Sequence, residues 1–382
     1  MYHATFSDEQ QAVIKMVREL MLEQVSARTV EVEERGEFPH WLAELFKRYD
    51  LFGVAVPEEY GGIDGLVVTE VAVLEQMARV SGACSMILGV QCLGSAPIVL
   101  FGDDAQKERW LPRLATGEVM GAFALTEANA GSDVRAMTSR AVPGDGGWVL
   151  NGRKVFISHA NIADVVVYFA KTKAAKGEEI TAFLVETDCE GFEVDKIEHK
   201  MGLRGSPTCS LVVENVFVPA GNVLGSVGQG LGVALETLYK TRIASAAQAL
   251  GVAQGALDIV ATYVKEREQF GRPLARNPVV QAKLGRMITQ VEAARTLIYT
   301  AAARYDDDQG DKARFSSMAK LFASDTAMTV TTDAVQLMGG YGYMVEYGAE
   351  QFMRDAKVFQ IFEGANELHE TGIAREFLRG GT

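Results

Sequence analysis

One carboxylate, Glu363, stands between an apolar run and a glycine, and its position suits proton transfer. The run before it consists of Val358, Phe359, Ile361 and Phe362. These side chains are too apolar for a surface loop, so we expect Glu363 to leave a buried segment and face a cavity. Gly364 lets the backbone turn tightly or lets a ligand approach closely.

A helix is predicted to follow over residues 365–378, because apolar residues recur there near helical spacing. The first N–H groups of a helix have no intrahelical partner, so they would lie beside Glu363. A base next to such donors suits removal of a proton adjacent to a carbonyl, because the N–H groups hold the enolate oxygen as charge develops. The alternative interpretation is a glutamate that stabilises the start of a helix, which is common.

Three other segments could bind a cofactor. Residues 126–133 form a loop of small residues that an anion or a flat polar ring could approach closely, although a plain solvent loop is an equal interpretation. Residues 156–158 could offer an aromatic face and a hydroxyl, or belong to the core. Gly339-Gly340, with Gln336, could cradle a pyrophosphate or only end a helix. Three arginines on predicted helices could bind phosphate or stay solvated: Arg242, Arg267 and Arg375.

The composition excludes several classes of protein. The 382 residues, 48% hydrophobic and 23% charged, suit a soluble globular chain of two or three parts, and the net charge of −13 argues against a nucleic-acid binder. Neither G-x-G-x-x-G nor Gly-Lys occurs, which excludes the dinucleotide fingerprint and the P-loop. The four cysteines and five histidines, His3 among them, show no metal-binding spacing, so we expect reduced thiols and no metal. Without a signal-peptide pattern or a run of eighteen apolar residues, we expect a cytoplasmic protein that enters no membrane, although a mature organellar protein would look the same.

The hydrophobic period divides the chain into helices, strands and helices again. Helical patterns begin with a capping box at Ser7 to Gln10, continue to about residue 120 and return at Gly230. Short β-rich runs are predicted at residues 122–125, 148–150, 155–157, 165–170, 181–185 and 211–213. Asn151-Gly152, between two of these runs, is the strongest hairpin signal in the chain. We therefore predict a helical domain at 1–120, an antiparallel β domain at 121–229 and a helical bundle at 230–382.

Six motifs, in order, resemble the acyl-CoA dehydrogenase family of flavoenzymes, and the resemblance covers essentially the whole chain. They are residues 123–134 (FALTEANAGSDV), 156–158 (FIS), 201–206 (MGLRGS), 265–274 (KEREQFGRPL), 336–342 (QLMGGYG) and 354–364 (RDAKVFQIFEG). The resemblance implies a mostly helical α+β fold with a helical N-terminal domain, a central antiparallel β domain and a C-terminal four-helix bundle. It also implies a homotetramer with FAD bound between domains and subunits.

By this resemblance, Glu363 matches the catalytic base. It would remove the α-proton of an acyl-CoA thioester while the β-hydride passes to N5 of the flavin, giving the trans-2-enoyl product. The thioester oxygen would be held by the backbone N–H of Glu363 and by the 2′-hydroxyl of the FAD ribityl chain. Electrons would then pass to electron-transfer flavoprotein.

The resemblance also implies residues that bind the cofactor and the substrate. Positions around the flavin are Phe123, Leu125, Thr126, Gly131, Ser132, Phe156, Ile157 and Ser158, the last three replacing a Trp-Ile-Thr wall. Positions that reach the FAD of the neighbouring subunit are Arg267, Phe270, Gln336, Leu337, Gly339 and Gly340. The segment over the flavin is Ala365, Asn366 and Glu367, and the substrate contacts are Ser132, Arg242, Gly364 and Arg375.

Three departures from the family pattern concern the substrate. Tyr239 stands where many members carry Asp, which affects a polar substrate contact. Thr241 occupies the place where the isovaleryl and long-chain branches carry their base, so the chain depends on Glu363. No arginine lies between residues 81 and 95, where glutaryl-CoA dehydrogenases hold the distal carboxylate, so dicarboxylic substrates are not expected.

A fourth departure is Asn277-Pro278, where the family more often has an aromatic residue or histidine followed by a glutamine that contacts the neighbouring FAD. Asn is a favoured N-cap and Pro a favoured first helical residue, so the pair predicts the start of a helix over residues 279–304.

Three alternatives to the dehydrogenase stay open. One is an oxygen-using oxidase or monooxygenase of the same fold, and another is an enoyl-CoA reductase that runs the reverse reaction. A nucleic-acid-associated relative is disfavoured by the acidic charge and by the retained Glu363. We expect acyl selectivity to depend on how residues 85–93 pack.

Overall fold

The computed structural model describes residues 6–174 and 177–379, so His3 and the rest of the first five residues lie outside the described part. The first third is helical, as predicted. Its helices are α1 (Asp8–Leu20), α2 (Thr29–Arg35), α3 (His40–Arg48), α4 (Val67–Val80), α5 (Gly82–Phe101) and α6 (Asp104–Ala115). The Ser7 hydroxyl accepts from the Gln10 backbone N–H at 3.1 Å, and the Ser7 N–H donates to the Gln10 side chain at 3.0 Å. The predicted capping box therefore starts α1.

A twisted sheet forms the middle of the chain. Its strands are β1 (Gly121–Ala124), β2 (Arg140–Gly144), β3 (Gly147–Ser158), β4 (Val165–Ala174), β5 (Gly177–Glu186), β6 (Phe192–Ile197), β7 (Thr208–Pro219) and β8 (Val223–Leu224). The order across the sheet is β6-β7-β3-β2-β4-β5-β8, and β1 pairs with β4. Most neighbours are antiparallel, as predicted, but β1 and β2 each run parallel to β4.

The hairpin predicted at Asn151-Gly152 is wrong, because both residues lie inside the single strand β3, where its register against β7 shifts. The Asn151 amide oxygen accepts from the Asn215 backbone N–H at 2.9 Å, and a Cβ on Gly152 would lie 2.1 Å from the Ser139 hydroxyl. Asn-Gly therefore serves here as a bulge that the backbone needs for a close approach. The hairpin between β2 and β3 turns earlier, at residues 144–147.

The last third is helical again. Its helices are α7 (Gly230–Glu266), α8 (Pro278–Asp306), α9 (Lys312–Met338), α10 (Ala349–Val358) and α11 (Asn366–Leu378), with a small ribbon of β9 (Glu268–Gln269) and β10 (Arg272–Pro273) between α7 and α8. α7, α8 and α9 pack on one another and α11 packs on α9, which is the predicted bundle; α10 was not predicted. The predicted helix start is confirmed, because Asn277 accepts from the Val279 N–H at 2.9 Å and Pro278 is the first residue of α8.

The long helix α7 is the axis on which both helical parts of the chain pack. Gly251 and Gly255 let α4 approach it closely, since a Cβ on Gly255 would lie 2.3 Å from the Arg79 carbonyl oxygen. By length and composition α5 and α7 could each span a membrane, but 72% and 83% of their most apolar windows are buried inside the fold. Both are therefore core helices, and α7 brings Arg242 to the segment that holds Glu363.

Candidate active site

Glu363 lies in the loop between α10 and α11, in the left-handed backbone conformation. The φ angle is 53° at Glu363 and 101° at Gly364. Such strain at a non-glycine residue is uncommon and concentrates at functional sites. A Cβ on Gly364 would lie 3.0 Å from His369 Nε2, so the turn is as tight as predicted. Among the described residues nothing donates a hydrogen bond to the buried Oε2 atom of Glu363.

Two cations hold this loop without binding the carboxylate. The Arg242 guanidinium on α7 donates through Nε to the Glu363 carbonyl oxygen at 3.0 Å. Lys320 on α9, only 1% exposed, donates to the Gly364 carbonyl oxygen at 2.6 Å and to the Asn366 amide oxygen at 2.9 Å. The backbone around Glu363 is thereby fixed while its carboxylate keeps a lone pair for a reaction.

Burial raises the pKa of Glu363 to about 7, although the charges of Arg242 and Lys320 oppose the rise. A base with such a pKa acts well near neutral pH. His369, 3% exposed, lies beside the turn, and burial lowers the pKa of its ring to about 3. The imidazole is therefore neutral at physiological pH. Burial also lowers the pKa of Lys320 to about 8.

Two local predictions need correction. α11 begins at Asn366, not at residue 365, and the Asn366 N–H donates to the Gln360 carbonyl oxygen at 3.1 Å instead of facing the carboxylate. Ile361 is 56% exposed, so only part of the apolar run is buried. The chain turns before the helix starts, and this turn uses the first helical donor. The backbone N–H of Glu363 has no acceptor within residues 6–174 and 177–379, so it remains available to a ligand oxygen.

The loop after β1 is anchored by a buried ion pair that was not predicted. Lys154, fully buried, donates to Glu127 at 2.9 Å and to the Leu125 carbonyl oxygen at 3.1 Å. Glu127 also accepts from the Thr138 N–H and hydroxyl and, at 3.0 Å, from the Ser139 N–H. Burial opposes ionisation of Glu127, but Lys154 and these hydrogen bonds outweigh it and hold the pKa at about 2.

This anchor places the predicted flavin loop beside strand β3. The Val155 N–H donates to the Thr126 carbonyl oxygen at 3.0 Å. Phe156 has a left-handed φ of 62° and its side chain is 66% exposed, while a Cβ on the exposed Gly131 would meet nothing within 4 Å. An exposed aromatic face thus stands near an open glycine loop. The other predicted residues here are the buried Leu125 and Ile157, the half-buried Phe123 and Ser158, and the exposed Ser132.

A pocket of about 430 Å³ is lined by most of the residues predicted to reach the FAD of the neighbouring subunit. Arg267, Leu337, Gly339 and Gly340 all line it, and the Arg267 guanidinium lies 5.3 Å from the centre of the Tyr341 ring. A Cβ on either glycine would meet nothing within 4 Å, so a ligand can reach the backbone. The exposed Gln336 and Phe270 complete the predicted group.

The remaining predicted residues lie on or just before α11. Ala365 is half-buried, whereas Glu367 and Arg375 are exposed, and among the described residues neither forms a hydrogen bond or ion pair with Glu363. The residues missed by sequence reasoning are Lys154, Lys320 and His369. Lys320 carried one usable signal, because it sits among Ala319, Ala323 and Ala327 on the buried face of α9. A lysine in such a stripe needs a buried partner.

Comparisons with known proteins agree with this geometry. Sequence models of the family match three consecutive parts of the chain: "Acyl-CoA dehydrogenase, N-terminal domain" at residues 7–118, "middle domain" at 122–216 and "C-terminal domain" at 228–378. The chain belongs to the acyl-CoA dehydrogenase family. It is an oxidoreductase of the flavoprotein class.

Curated relatives match over nearly their full length. An acyl-CoA dehydrogenase of Bacillus subtilis is 42% identical over 98% of this chain and 99% of its own. The cyclohex-1-ene-1-carbonyl-CoA dehydrogenase of Geobacter metallireducens is 42% identical over 99% and 100%. The caffeyl-CoA reductase-Etf complex subunit CarC of Acetobacterium woodii is 39% identical over 98% and 99%.

Solved structures show the same fold. The butyryl-CoA dehydrogenase of Megasphaera elsdenii superposes with a TM-score of 0.94 at 38% identity, covering 98% of this chain and 99% of that one. An acyl-CoA dehydrogenase of Bacillus anthracis, complexed with FAD, superposes with a TM-score of 0.93 at 33% identity, covering 99% and 69%. FAD is the cofactor of this family and of this chain.

The residues present fit FAD. The pocket at Arg267 offers a cation and two open glycines to a pyrophosphate, and Phe156 and Phe270, 66% and 99% exposed, offer aromatic faces to a ring. The Glu127–Lys154 pair shapes the loop that would approach the isoalloxazine ring. No dinucleotide fingerprint is needed, because separate loops supply these groups.

Proposed function

We propose that the chain catalyses α,β-dehydrogenation of an acyl-CoA thioester to the trans-2-enoyl-CoA. The single observation that supports this reaction most is the Glu363 carboxyl group, whose Oε2 atom is buried without a donor among the described residues and whose pKa is about 7. The carboxylate removes the α-proton, and the backbone N–H of Glu363 donates to the thioester oxygen as negative charge develops there. FAD, when bound, accepts the hydride from the β-carbon.

The loop contacts explain how the base stays in position. Arg242 and Lys320 bind the carbonyl oxygens of Glu363 and Gly364, so the carboxylate can lose and regain a proton without movement of the backbone. Their two positive charges also favour an enolate oxygen close to the turn. Phe156 and the segment at 365–367 would exclude water from the reacting carbons.

We also propose the partners of the enzyme. Electron-transfer flavoprotein is the proposed electron acceptor, and the relative from Acetobacterium woodii, named as part of an Etf complex, supports it. A homotetramer is proposed because Phe270 is 99% exposed and the pocket at Arg267 lies open, both at positions that a second subunit would cover. A cytoplasmic location is proposed on the basis of four free cysteines.

An enoyl-CoA reductase is the second candidate, and the reductase named among the relatives favours it. In that direction Glu363 works as an acid and gives its proton to the α-carbon. The site itself serves either direction, because a group with a pKa of about 7 holds and releases a proton with equal ease at neutral pH.

A panel of acyl-CoA thioesters, scored by anaerobic bleaching of the flavin, tests the proposal. We expect at least one saturated thioester to bleach the flavin and to yield a trans-2-enoyl product, with Glu363→Gln as the inactive control. Bleaching by no saturated thioester, together with reoxidation of chemically reduced enzyme by an enoyl-CoA, would identify a reductase instead. Stopped-flow reoxidation by dissolved oxygen on the turnover timescale would identify an oxidase; we expect slow reaction with oxygen.

A further inference from the structure

The face of α7 next to Glu363 carries three buried polar side chains that have no part in the proposed proton transfer. Thr241, Ser245 and Gln248 follow one another at spacings of four and three residues, so they share a face of the helix. They are 3%, 2% and 3% exposed. A buried polar stripe on a core helix is unusual and needs partners.

Two of these side chains have no partner. The Thr241 and Ser245 hydroxyls are buried and form no hydrogen bond within the described residues. A buried hydroxyl on a helix can bond to the carbonyl oxygen one turn back, as Thr237 does to Val233 at 2.8 Å. Thr241 and Ser245 do not form this bond, so each hydroxyl remains able to donate to another group. Unpaired burial is unfavourable, and this arrangement therefore suits a bound polar group.

The polar face runs from the carboxylate to α5. At one end the Thr241 hydroxyl is near enough to the Glu363 carboxylate to help lower the pKa that burial raises. At the other end the Gln248 amide donates to the Ser85 hydroxyl at 3.0 Å and to the Met86 sulfur at 3.4 Å. Ser245 lies between these two contacts.

An apolar cluster lies beside this polar face, since the Gln248 amide contacts the Met86 sulfur. Met86, Val90 and Leu203 form a small apolar cluster to which Phe362, the neighbour of Glu363, also belongs. An acyl chain beside Glu363 would thus meet both apolar side chains and the hydroxyls of α7. Since the Gln248 amide already donates to Ser85 and Met86, Ser245 is the group left to recognise a substituent.

Resting on the proposed function, we propose that the acyl group carries a hydrogen-bonding substituent, a hydroxyl or carbonyl oxygen, which Ser245 binds. The helix rises about 1.5 Å per residue, which places Ser245 about 6 Å along α7 from Thr241. The substituent therefore lies several carbons beyond the α-carbon, as the para-hydroxyl of a 3-phenylpropionyl group or the terminal hydroxyl of a short acyl chain does. Thr241 offers a second hydroxyl closer to the reacting carbons.

Matched thioester pairs test this substrate class on the FAD-loaded enzyme. The pairs are 3-(4-hydroxyphenyl)propionyl-CoA with 3-phenylpropionyl-CoA, and 6-hydroxyhexanoyl-CoA with hexanoyl-CoA. We expect the wild type to show at least about tenfold higher kcat/KM for the hydroxylated member of one pair. Ser245→Ala should remove that preference by lowering kcat/KM of the hydroxylated member alone, and Ser245→Thr should restore part of it.

Ser316→Ala is the matched control, because Ser316 is equally buried on α9 but its hydroxyl donates to the Ala313 carbonyl oxygen at 2.9 Å. It should leave the preference unchanged. A preference for the unsubstituted member, or an equal effect of Ser245→Ala on both members, overturns the inference while the proposed function stands. If none of these four thioesters bleaches the flavin but another saturated thioester of the panel does, the inference fails and the proposed function stands. If no saturated thioester bleaches it, both fail.

Discussion

Glu127 and Glu363 each lie near a buried lysine, and they differ in how many hydrogen bonds the carboxylate receives. In the β domain, Glu127 accepts from Lys154 and from the backbone and hydroxyl groups of residues 138 and 139, and its pKa is held at about 2. Between the helices, Lys320 instead binds the Gly364 carbonyl oxygen, and Glu363, with its Oε2 unpartnered, has a pKa of about 7.

The number of hydrogen bonds to a buried carboxylate decides whether it can exchange a proton near neutral pH. A buried carboxylate whose acceptor positions are all used is fixed in one charge state, so it can hold a loop but cannot exchange protons near neutral pH. A buried carboxylate whose neighbours bind the backbone instead stays close to the midpoint of its titration, as a general acid or base must. The Glu127 site therefore suits a structural role, whereas the Glu363 site suits proton transfer.

The largest predicted effect is on stability at the fully paired site. Lys154→Met should destabilise the protein by about 3–5 kcal/mol, because it leaves the buried Glu127 carboxylate without its cation. The measurement is a denaturant titration compared with Lys15→Met, a control at an exposed lysine of α1. The double variant Glu127→Gln/Lys154→Met should recover part of the loss. A single variant as stable as the wild type would mean that the pair does not anchor the loop.

Removal of the unpaired carboxylate should act on turnover instead. Glu363→Gln is nearly isosteric, so we expect bound FAD to be retained and kcat to fall at least about a hundredfold, the low end for loss of a positioned general base. The assay is anaerobic turnover of the best thioester found in the panel. Turnover near the wild-type rate would show that Glu363 is not the base.

Glu363→Gln should also change the free energy of unfolding in a pH-dependent way. Because the folded pKa of Glu363, about 7, lies above its ordinary value of 4.5, its ionisation destabilises the folded state progressively as pH rises from about 4.5 to 7. Glu363→Gln removes this penalty and should therefore stabilise the protein by roughly 1–3 kcal/mol at pH 8 and by little at pH 4.5. The comparison is of unfolding midpoints at the two pH values. For Glu127, whose pKa is lowered, the sign is opposite: its stabilisation is lost only as pH falls from about 4.5 to 2.

Features that depend on residues close together in the sequence were predicted, and features that depend on distant residues were not. The capping box at Ser7 and the helix start at Asn277-Pro278 were predicted because each depends on residues within one helical turn. The hairpin at Asn151-Gly152 failed, because the close approach of Ser139 decides that backbone and leaves no local signal. Tertiary contact overrode turn propensity there.

At the candidate active site the sequence predicted which carboxylate reacts but not which residues hold it in place. Glu363 was recognised from its neighbours along the chain, and its role stays a prediction until the variant is assayed. Lys320 and Arg242 act on the loop across 44 and 121 residues, so no spacing rule connects them to it. The pKa of about 7 depends on burial and on where those two cations point, and both arise only in the folded chain.

The pH dependence of turnover tests the pKa of the Glu363 carboxyl directly. Dehydrogenation needs the Glu363 carboxylate, so kcat/KM should rise about tenfold per unit below a pH of about 7 and level off above it. Reduction of an enoyl-CoA needs the protonated acid and should fall as pH rises through the same value. A profile measured in both directions checks the sign, and a flat profile from pH 5 to 9 would contradict the assignment of the base.

The smallest predicted effect is at Asn277-Pro278. The hydrogen bonds around this pair are already formed within the chain, so we expect it to start a helix and to have little effect on FAD binding. Asn277 caps α8 through the Val279 N–H, and the Gln281 amide donates to the Ala275 carbonyl oxygen at 2.9 Å. A glutamine at 278 would add at most one hydrogen bond to FAD, worth roughly 0.5–1.5 kcal/mol or about a threefold to tenfold change in affinity. Arg267, Gly339 and Gly340 keep their pocket in either variant.

We therefore expect Pro278→Gln to tighten FAD binding no more than about tenfold in isothermal titration of the apo forms. Val279→Gln, at a 72% exposed neighbour, is the control. A hundredfold tightening would mean that the proline removes a cofactor contact that the rest of the site does not replace.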